Sequence, residues 1–123
     1  MPARTALLVD DDPATGDTVR ELLPWREVKL ESTANATEAI DCLTKHDYCG
    51  LVLNLDVDDG RALEILNHMS DAQVNIPIVV ITSKFPDSLR ELAIADDIKL
   101  VMARPFDPSL LASMILGLCG IER

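Results

Sequence analysis

Several short apolar runs in this sequence are followed by polar and charged side chains that could bind a metal ion and a phosphoryl group. Asp10 and Asp11 come directly after the first run, and two adjacent carboxylates at a strand end can converge on a hard cation such as Mg²⁺. Thr82 and Arg104 follow two later runs, and a hydroxyl and a cation would complete a phosphoryl site. Adjacent acids at a strand-to-helix junction can also be helix caps, which is the role we expect for Asp12.

Five strand–helix units are predicted to position these side chains. Short apolar runs alternate with longer amphipathic stretches, which is typical of a mostly parallel sheet covered by helices. The predicted strands are centred on residues 6–9, 28–33, 51–53, 78–81 and 100–103, and the predicted helices begin near Asp12, Asn35, Leu63, Asp87 and Asp107. Because ligands of open parallel sheets bind beyond the carboxyl ends of the strands, the polar residues that end each strand should meet at one edge.

The composition indicates one folded domain that does not bind nucleic acid. The chain has 123 residues, 48% of them hydrophobic, so residues 1–123 fit a single domain with enough apolar material for a core. The 21 acidic residues exceed the 11 basic ones and give a net charge of -10. With only one Trp, one Tyr and two Phe, the chain also lacks the stacking side chains of single-strand binders.

The sequence also predicts no membrane contact and no bridged cysteines. Apolar runs fall well short of the ~18 residues of a membrane span, and the first residues do not have the pattern of a secretory signal, so we expect a cytoplasmic protein. Cys42, Cys49 and Cys119 show no C-x-x-C spacing. We therefore expect small buried thiols and neither a disulfide framework nor a zinc site.

The sequence resembles the CheY-like response-regulator receiver domain of two-component signalling in three segments: Leu7-Leu8-Val9-Asp10-Asp11-Asp12-Pro13, the strand ending in Thr82-Ser83, and Arg104-Pro105-Phe106. The resemblance implies an α/β fold with a flavodoxin-like doubly wound five-stranded parallel sheet, strand order 2-1-3-4-5, and helices on both faces. It implies a signalling role in a phosphorelay, with a sensor histidine kinase or another signalling protein as partner. It also implies no enzymatic activity beyond slow self-phosphorylation and dephosphorylation.

The resemblance assigns a role to each polar residue at the predicted edge. Asp10 and Asp11 correspond to the Mg²⁺ ligands. Thr82 and Arg104 correspond to the residues that contact the phosphoryl group, although the family has lysine where this chain has Arg104. Val101 occupies the position at which receivers often carry a switch aromatic, so the usual ring-rotation signal is not expected.

Asn54 occupies the position of the phosphoacceptor aspartate, and an amide cannot act as a carboxylate nucleophile. Asp56 is the alternative acceptor, because its side chain would emerge on the same face if the strand continued, and it could otherwise serve as a further metal ligand. Asp10, Asp11, the neutral Asn54 and Arg104 together carry one net negative charge, which should weaken Mg²⁺ binding unless Asp56 joins the site. Arg104 could also bridge Asp10 or Asp11 and close the pocket without metal. These departures predict an atypical receiver whose signalling does not depend on phosphorylation, or depends on it in an altered way.

The last predicted helix is apolar on nearly all sides, which predicts a homodimer or partner contact through it. Its apolar residues are Leu110, Leu111, Ala112, Met114, Ile115, Leu116 and Leu118.

A less favoured interpretation is a small phosphatase-like enzyme with an aspartate nucleophile. It depends on residues 53–60, which are faintly similar to the D-x-D-G motif of those enzymes, with Asp56 as the nucleophile. Such enzymes place that motif on their first strand and usually carry more chain, so we favour the receiver.

Overall fold

The computed structural model describes residues 4–24, 26–57, 61–83, 98–104 and 106–121. The strands are β1 (Arg4–Val9), β2 (Val28–Thr33), β3 (Gly50–Asn54), β4 (Ile78–Thr82) and β5 (Ile98–Ala103). The helices are α1 (Pro13–Leu22), α2 (Ala36–Lys45), α3 (Ala62–Asp71) and α4 (Pro108–Leu118). The helix that the sequence predicts from Asp87 lies outside the described residues, as do Asp58, Asp59, Gly60 and Pro105.

The five strands form one parallel sheet in the order β2-β1-β3-β4-β5. This confirms the predicted flavodoxin-like order. Val9 of β1 lies opposite both Thr33 of β2 and Leu53 of β3, and Thr82 of β4 lies opposite Ala103 of β5. Because the strands end nearly level, the residues that follow them share one edge of the sheet.

Hydrophobic clusters cover both faces of the central strands. Leu7 and Leu53 pack with residues of α2 and α3 in the first cluster, whereas Leu8 and Val52 pack with residues of α1 and α4 in the second. Successive side chains of a strand point to opposite faces, so a strand buried on both faces needs a continuous apolar run. Burial on both faces therefore explains why β1, β3 and β4 are continuous apolar runs.

The helices begin at the capping residues that the sequence predicts. The side chain of Asp12 accepts a hydrogen bond from the Ala14 N–H at 3.0 Å, and that of Asn35 accepts one from the Glu38 N–H at 2.8 Å. Asp107 caps α4 in the same way as Asp12 caps α1, with a proline at the start of each helix. The described helices are all too short or too polar to cross a bilayer.

The expectation of unbridged cysteines is wrong for two of the three. Cys49 and Cys119 form a disulfide, while Cys42 is free and partly buried. The C-x-x-C spacing used for that expectation detects only cysteines that are close in sequence, whereas these two are separated by 70 residues. The packing of α4 against β3 brings them together, and that packing cannot be read from cysteine spacing.

Candidate functional site

The polar residues predicted at the carboxyl edge of the sheet occupy the ends of β1, β3, β4 and β5. Asp10 follows β1 directly, Asn54 is the last residue of β3, Thr82 is the last residue of β4 and Arg104 follows β5. Asp10, Asn54 and Thr82 are buried. Chain segments far apart in sequence therefore bring an acid, an amide, a hydroxyl and a guanidinium to one edge.

Asp10 lies at the centre of this group, with its side chain only 1% exposed. One carboxylate oxygen, Oδ2, is 2.5 Å from Nη2 of Arg104. The other, Oδ1, accepts hydrogen bonds from the Asp12 backbone N–H at 3.0 Å and from Nδ2 of Asn54 at 3.3 Å. A buried carboxylate needs such partners because its charge is costly to remove from water. Both oxygens of Asp10 are thus engaged within the protein.

Arg104 is positioned by three contacts. Its backbone N–H donates to the carbonyl of Thr82 at 3.1 Å, which extends the pairing of β5 with β4. Its guanidinium carbon lies 5.6 Å from the centre of the Phe106 ring, a distance at which a cation and a ring attract each other. With the ion pair to Asp10, these contacts direct the guanidinium into the site. The role of Phe106 was not predicted, although its spacing from Arg104 in Arg104-Pro105-Phe106 was the available signal.

Asn54 links Asp10 to the loop after β3. Its amide nitrogen donates to Asp10, while its Oδ1 accepts a hydrogen bond from the Asp56 N–H at 2.9 Å. An ionised aspartate at this position could accept the second bond but could not donate the first. The pairing with Asp10 therefore suits the amide and would place two carboxylates in contact if residue 54 were aspartate.

Asp56 is directed towards the loop after β4. Its Oδ2 accepts hydrogen bonds from both the backbone N–H and the Oγ of Ser83, at 2.9 and 2.7 Å. β3 ends at Asn54, so the strand does not continue to carry the Asp56 side chain onto the face of residue 54. Sequence reasoning named Ser83 only as the residue after Thr82 and gave it no role; its side chain is exposed.

The remaining predicted residues do not join the Asp10 contacts directly. Asp11 is exposed, Thr82 is fully buried, and Val101 is partly buried against the first hydrophobic cluster. The structure thus brings together Asp10, Asn54 and Arg104. It joins Asp56 to that group only through the hydrogen bond from its backbone to Asn54.

Two of the three predicted Mg²⁺ ligands, Asp10 and Asp56, have carboxylates that are paired with protein groups. Within the described part of the chain, no three Asp, Glu, His or Cys side chains form a group that could hold a metal ion. The oxygens of Asp10 are engaged by Arg104 and by N–H donors, and Asp56 Oδ2 is engaged by Ser83. A metal ion needs free oxygen lone pairs, and Oδ2 of Asp10 is bound by the Arg104 guanidinium instead.

A shallow cavity of about 380 Å³ opens beside the site, between the first turns of α1 and the segment after β5. Thr15 and Thr18 line it on the helix side, and Arg104, Phe106 and Pro108 line it on the other. Arg104, whose guanidinium binds Asp10, therefore forms part of the wall of this cavity.

Comparison with known proteins gives consistent matches. The family described as response regulator receiver domain matches residues 6–116. The cell cycle transcriptional regulator CtrA of Caulobacter vibrioides is 25% identical over 100 residues, which are 81% of this chain and 43% of that protein. The cell cycle response regulator CtrA of Brucella ovis is 28% identical over 112 residues, 89% of this chain and 47% of that protein. The chain thus spans about half the length of these curated relatives.

The fold also matches solved structures. The crystal structure of a CheY-like response regulator receiver domain protein from Methanospirillum hungatei superposes with a TM-score of 0.79 at 19% sequence identity, covering 94% of both chains. Identity at this level shows the fold alone.

Proposed function

Because this chain belongs to the response regulator receiver domain family of two-component signalling, we propose that it is an atypical member that signals by protein–protein contact without phosphorylation at residue 54. One observation carries the proposal. Asn54, which the family resemblance aligns with the phosphoacceptor position, donates a hydrogen bond to Asp10, whose other oxygen is bound to Arg104 at 2.5 Å. Asp10 is thus paired with both Asn54 and Arg104.

The chemistry of residue 54 supports this proposal. Phosphorylation of a receiver requires a carboxylate oxygen that attacks the phosphorus atom, and the neutral amide of Asn54 is not such a nucleophile. The hydrogen bonds of Asn54 to Asp10 and from Asp56 hold the amide in a fixed orientation. This residue therefore has a positioning role in the proposal.

The charges at the site support weakened metal binding. Receiver domains typically bind Mg²⁺ at the phosphorylation site, where carboxylates supply the oxygen ligands. In this chain Arg104 neutralises Asp10, the most buried acid at the edge, and Asn54 supplies no charge. Mg²⁺ would have to displace the guanidinium from Asp10, so we infer a much weaker site than three carboxylates would form.

Phosphorylation of Asp56 is the second candidate, because Asp56 is the nearest carboxylate to Asn54 in sequence. The hydrogen bonds from Ser83 to its Oδ2 argue against it, since they lower the nucleophilicity of that oxygen and hold the side chain towards β4. Both of these bonds go to Oδ2 and neither to Oδ1, so the variant Asp56→Asn tests this candidate separately.

Intact-mass measurement after incubation with acetyl phosphate and Mg²⁺ tests both candidates. We expect no phosphoryl adduct on the wild-type protein or on Asp56→Asn, because Asn54 is not a nucleophile. We expect an adduct on Asn54→Asp, which restores a carboxylate beside Asp10. An adduct on the wild-type protein that disappears in Asp56→Asn would overturn the proposal and establish Asp56 as the acceptor.

Receiver domains interact with histidine kinases and other signalling proteins, and we propose the same class of partner here, together with a homodimer formed through α4. Leu110 of α4 is 48% exposed, and a groove of about 420 Å³ runs between α4 and β5, lined by Leu100, Met114 and Leu118 among others. Exposed apolar surface of this kind favours association. Sedimentation of the wild-type protein and of Leu110→Glu would distinguish a dimer through α4 from a monomer.

Receiver domains are generally signalling modules and not enzymes. We propose that this chain likewise has no enzymatic turnover, binds no nucleic acid, does not contact the membrane and acts in the cytoplasm. The net charge of -10 supports the second of these statements, because phosphate backbones repel an acidic surface.

A further inference from the structure

Cys49 and Cys119 form a disulfide at the end of the sheet opposite to the site around Asp10. Cys49 directly precedes β3, and Cys119 directly follows α4. Their Cα atoms are 4.8 Å apart, within the range of about 4.4–6.8 Å that a disulfide spans. The bond joins the amino end of a central strand to the carboxyl end of the last helix.

Contacts that involve no sulfur atom hold the same two segments together. The Cys49 N–H donates to the carbonyl of Thr5 at 2.8 Å, and the guanidinium of Arg4 donates to the carbonyl of Cys119. Gly50 lies so close to α4 that a Cβ atom added to it would be 2.8 Å from the Cβ of Leu118. These contacts would keep the two thiols adjacent after the bond is reduced.

We propose that Cys49 and Cys119 form a reversible thiol–disulfide site whose oxidant is a low-molecular-weight disulfide of the glutathione class. Cys49 is partly exposed, so its thiolate attacks the small disulfide first, forms a mixed disulfide and releases one small thiolate. Cys119, which is 2% exposed, then attacks the Cys49 sulfur as thiolate and displaces the second small thiolate. The two protons lost by the protein thiols end on the two small thiols, and the reverse exchange reduces the protein.

Opening or closing the Cys49–Cys119 bond acts on the carboxyl end of α4. Met114, Gly117 and Leu118 of this helix line the groove beside β5, and the disulfide fixes the residue that follows them. The reversibility of the bond rests on the cytoplasmic location proposed above, because disulfides in that reducing compartment are mostly transient and catalytic or redox-sensing. Reduction would remove this covalent restraint from the end of α4, beside the groove, while the contacts without sulfur keep the two thiols adjacent. This inference is independent of the chemistry at residue 54.

Cys42 provides a matched control. It lies on α2 and packs against the first hydrophobic cluster, whereas Cys49 and Cys119 belong to the second cluster on the other face of the sheet. The sheet therefore separates Cys42 from the pair. The three cysteines also fall in separate tryptic peptides, because Lys45 and Arg61 lie between them.

The experiment equilibrates the folded wild-type protein with oxidised or reduced glutathione, alkylates free thiols and digests with trypsin. In oxidised glutathione we expect a cross-linked peptide pair that contains Cys49 and Cys119, with Cys42 outside the bridge as an alkylated thiol or as a mixed disulfide with glutathione. In reduced glutathione we expect all three cysteines to be alkylated. The reduced protein should melt about 10 °C below the oxidised protein, because the loop closed by the bond is long. Cys42→Ser should keep this difference and Cys49→Ser should lose it.

Three results would overturn the proposal: alkylation of Cys49 and Cys119 in oxidised glutathione, a bridge that includes Cys42, or a Cys49–Cys119 bond that reduced glutathione does not open in the folded protein. Should Cys49→Ser fail to fold, the comparison of oxidised and reduced wild-type protein decides the question alone. Neither form is treated with a phosphodonor, so the result does not depend on the proposal for residue 54.

Discussion

Replacement of Arg104 by alanine should destabilise the protein because it leaves a buried charge without its partner. The Asp10 side chain is 1% exposed, and Arg104 is its cationic partner at 2.5 Å. After Arg104→Ala, the carboxylate keeps the N–H donors of Asp12 and Asn54 but no positive charge. The charge of Asp10 would then be held in the protein interior by two neutral donors.

The burial of the two side chains sets the size of the expected loss in the free energy of unfolding. Removing one partner of a fully buried ion pair typically costs about 3–5 kcal/mol. The Arg104 side chain is 29% exposed, so water already screens part of the interaction and can reach part of the space that alanine leaves. We therefore expect a loss of about 2 kcal/mol, which for a domain of this size is a fall in Tm of about 8 °C.

Chemical and thermal unfolding would measure this loss of stability. The wild-type protein is compared with Arg104→Ala and with the control Lys45→Ala, all without divalent ions. Lys45 forms an ion pair with Asp41 at 3.1 Å, but the two side chains are 64% and 58% exposed. Its removal should therefore cost no more than about 0.5 kcal/mol. Equal stability of Arg104→Ala and Lys45→Ala would refute the reasoning that Arg104 neutralises a buried Asp10.

Three further predictions concern other parts of the fold. Thr33→Val should raise the free energy of unfolding by about 1 kcal/mol in urea denaturation, because Thr33 Oγ1 is buried and makes no hydrogen bond with the described residues. Gly50→Ala should lower Tm, since its added methyl group would be 2.8 Å from Leu118 Cβ, whereas Gly117→Ala, with no atom within 4 Å of the new methyl group, should not. Burial raises the pKa of the Tyr48 phenol above its ordinary 10.0. Above pH 10 the phenol therefore ionises in the unfolded chain but not in the folded protein, and the free energy of unfolding falls as the pH rises. Because Tyr48 is the sole tyrosine, tyrosinate absorbance should appear only as the protein unfolds in alkali, and Tyr48→Phe should reduce the alkaline loss of stability.

The central part of the fold could be predicted from the sequence because its signals are local. The runs around Leu7, Leu53 and Val80 are apolar at every position, which indicates strands covered on both faces. The caps at Asp12 and Asp107 depend on residues two positions away. The alternating pattern of β2 suits an edge or half-covered strand, and in the structure Val28 and Leu30 are buried while their neighbours are exposed.

The site could be predicted in position but only partly in contacts. Residues that end parallel strands must share an edge, so Asp10, Asn54 and Arg104 could be grouped in advance. The pairing of Asp56 with Ser83 depends on how the loops after β3 and β4 fold, and no local pattern encodes it. The Cys49–Cys119 bond depends in the same way on where α4 ends against β3.

Amide ¹H–¹⁵N correlation spectra test the central claim about Asp10 most directly. They are recorded on the wild-type protein before and after addition of Mg²⁺ and acetyl phosphate. The claim is that Arg104 and Asn54 occupy the contacts of Asp10 that a metal ion and a phosphoryl group would need. It predicts that the amide signals of Asp10, Asn54 and Thr82 stay in place, while the same additions shift them in Asn54→Asp. Specific shifts of these signals in the wild-type protein would contradict the claim, because they would show that the pocket still binds metal or phosphoryl groups.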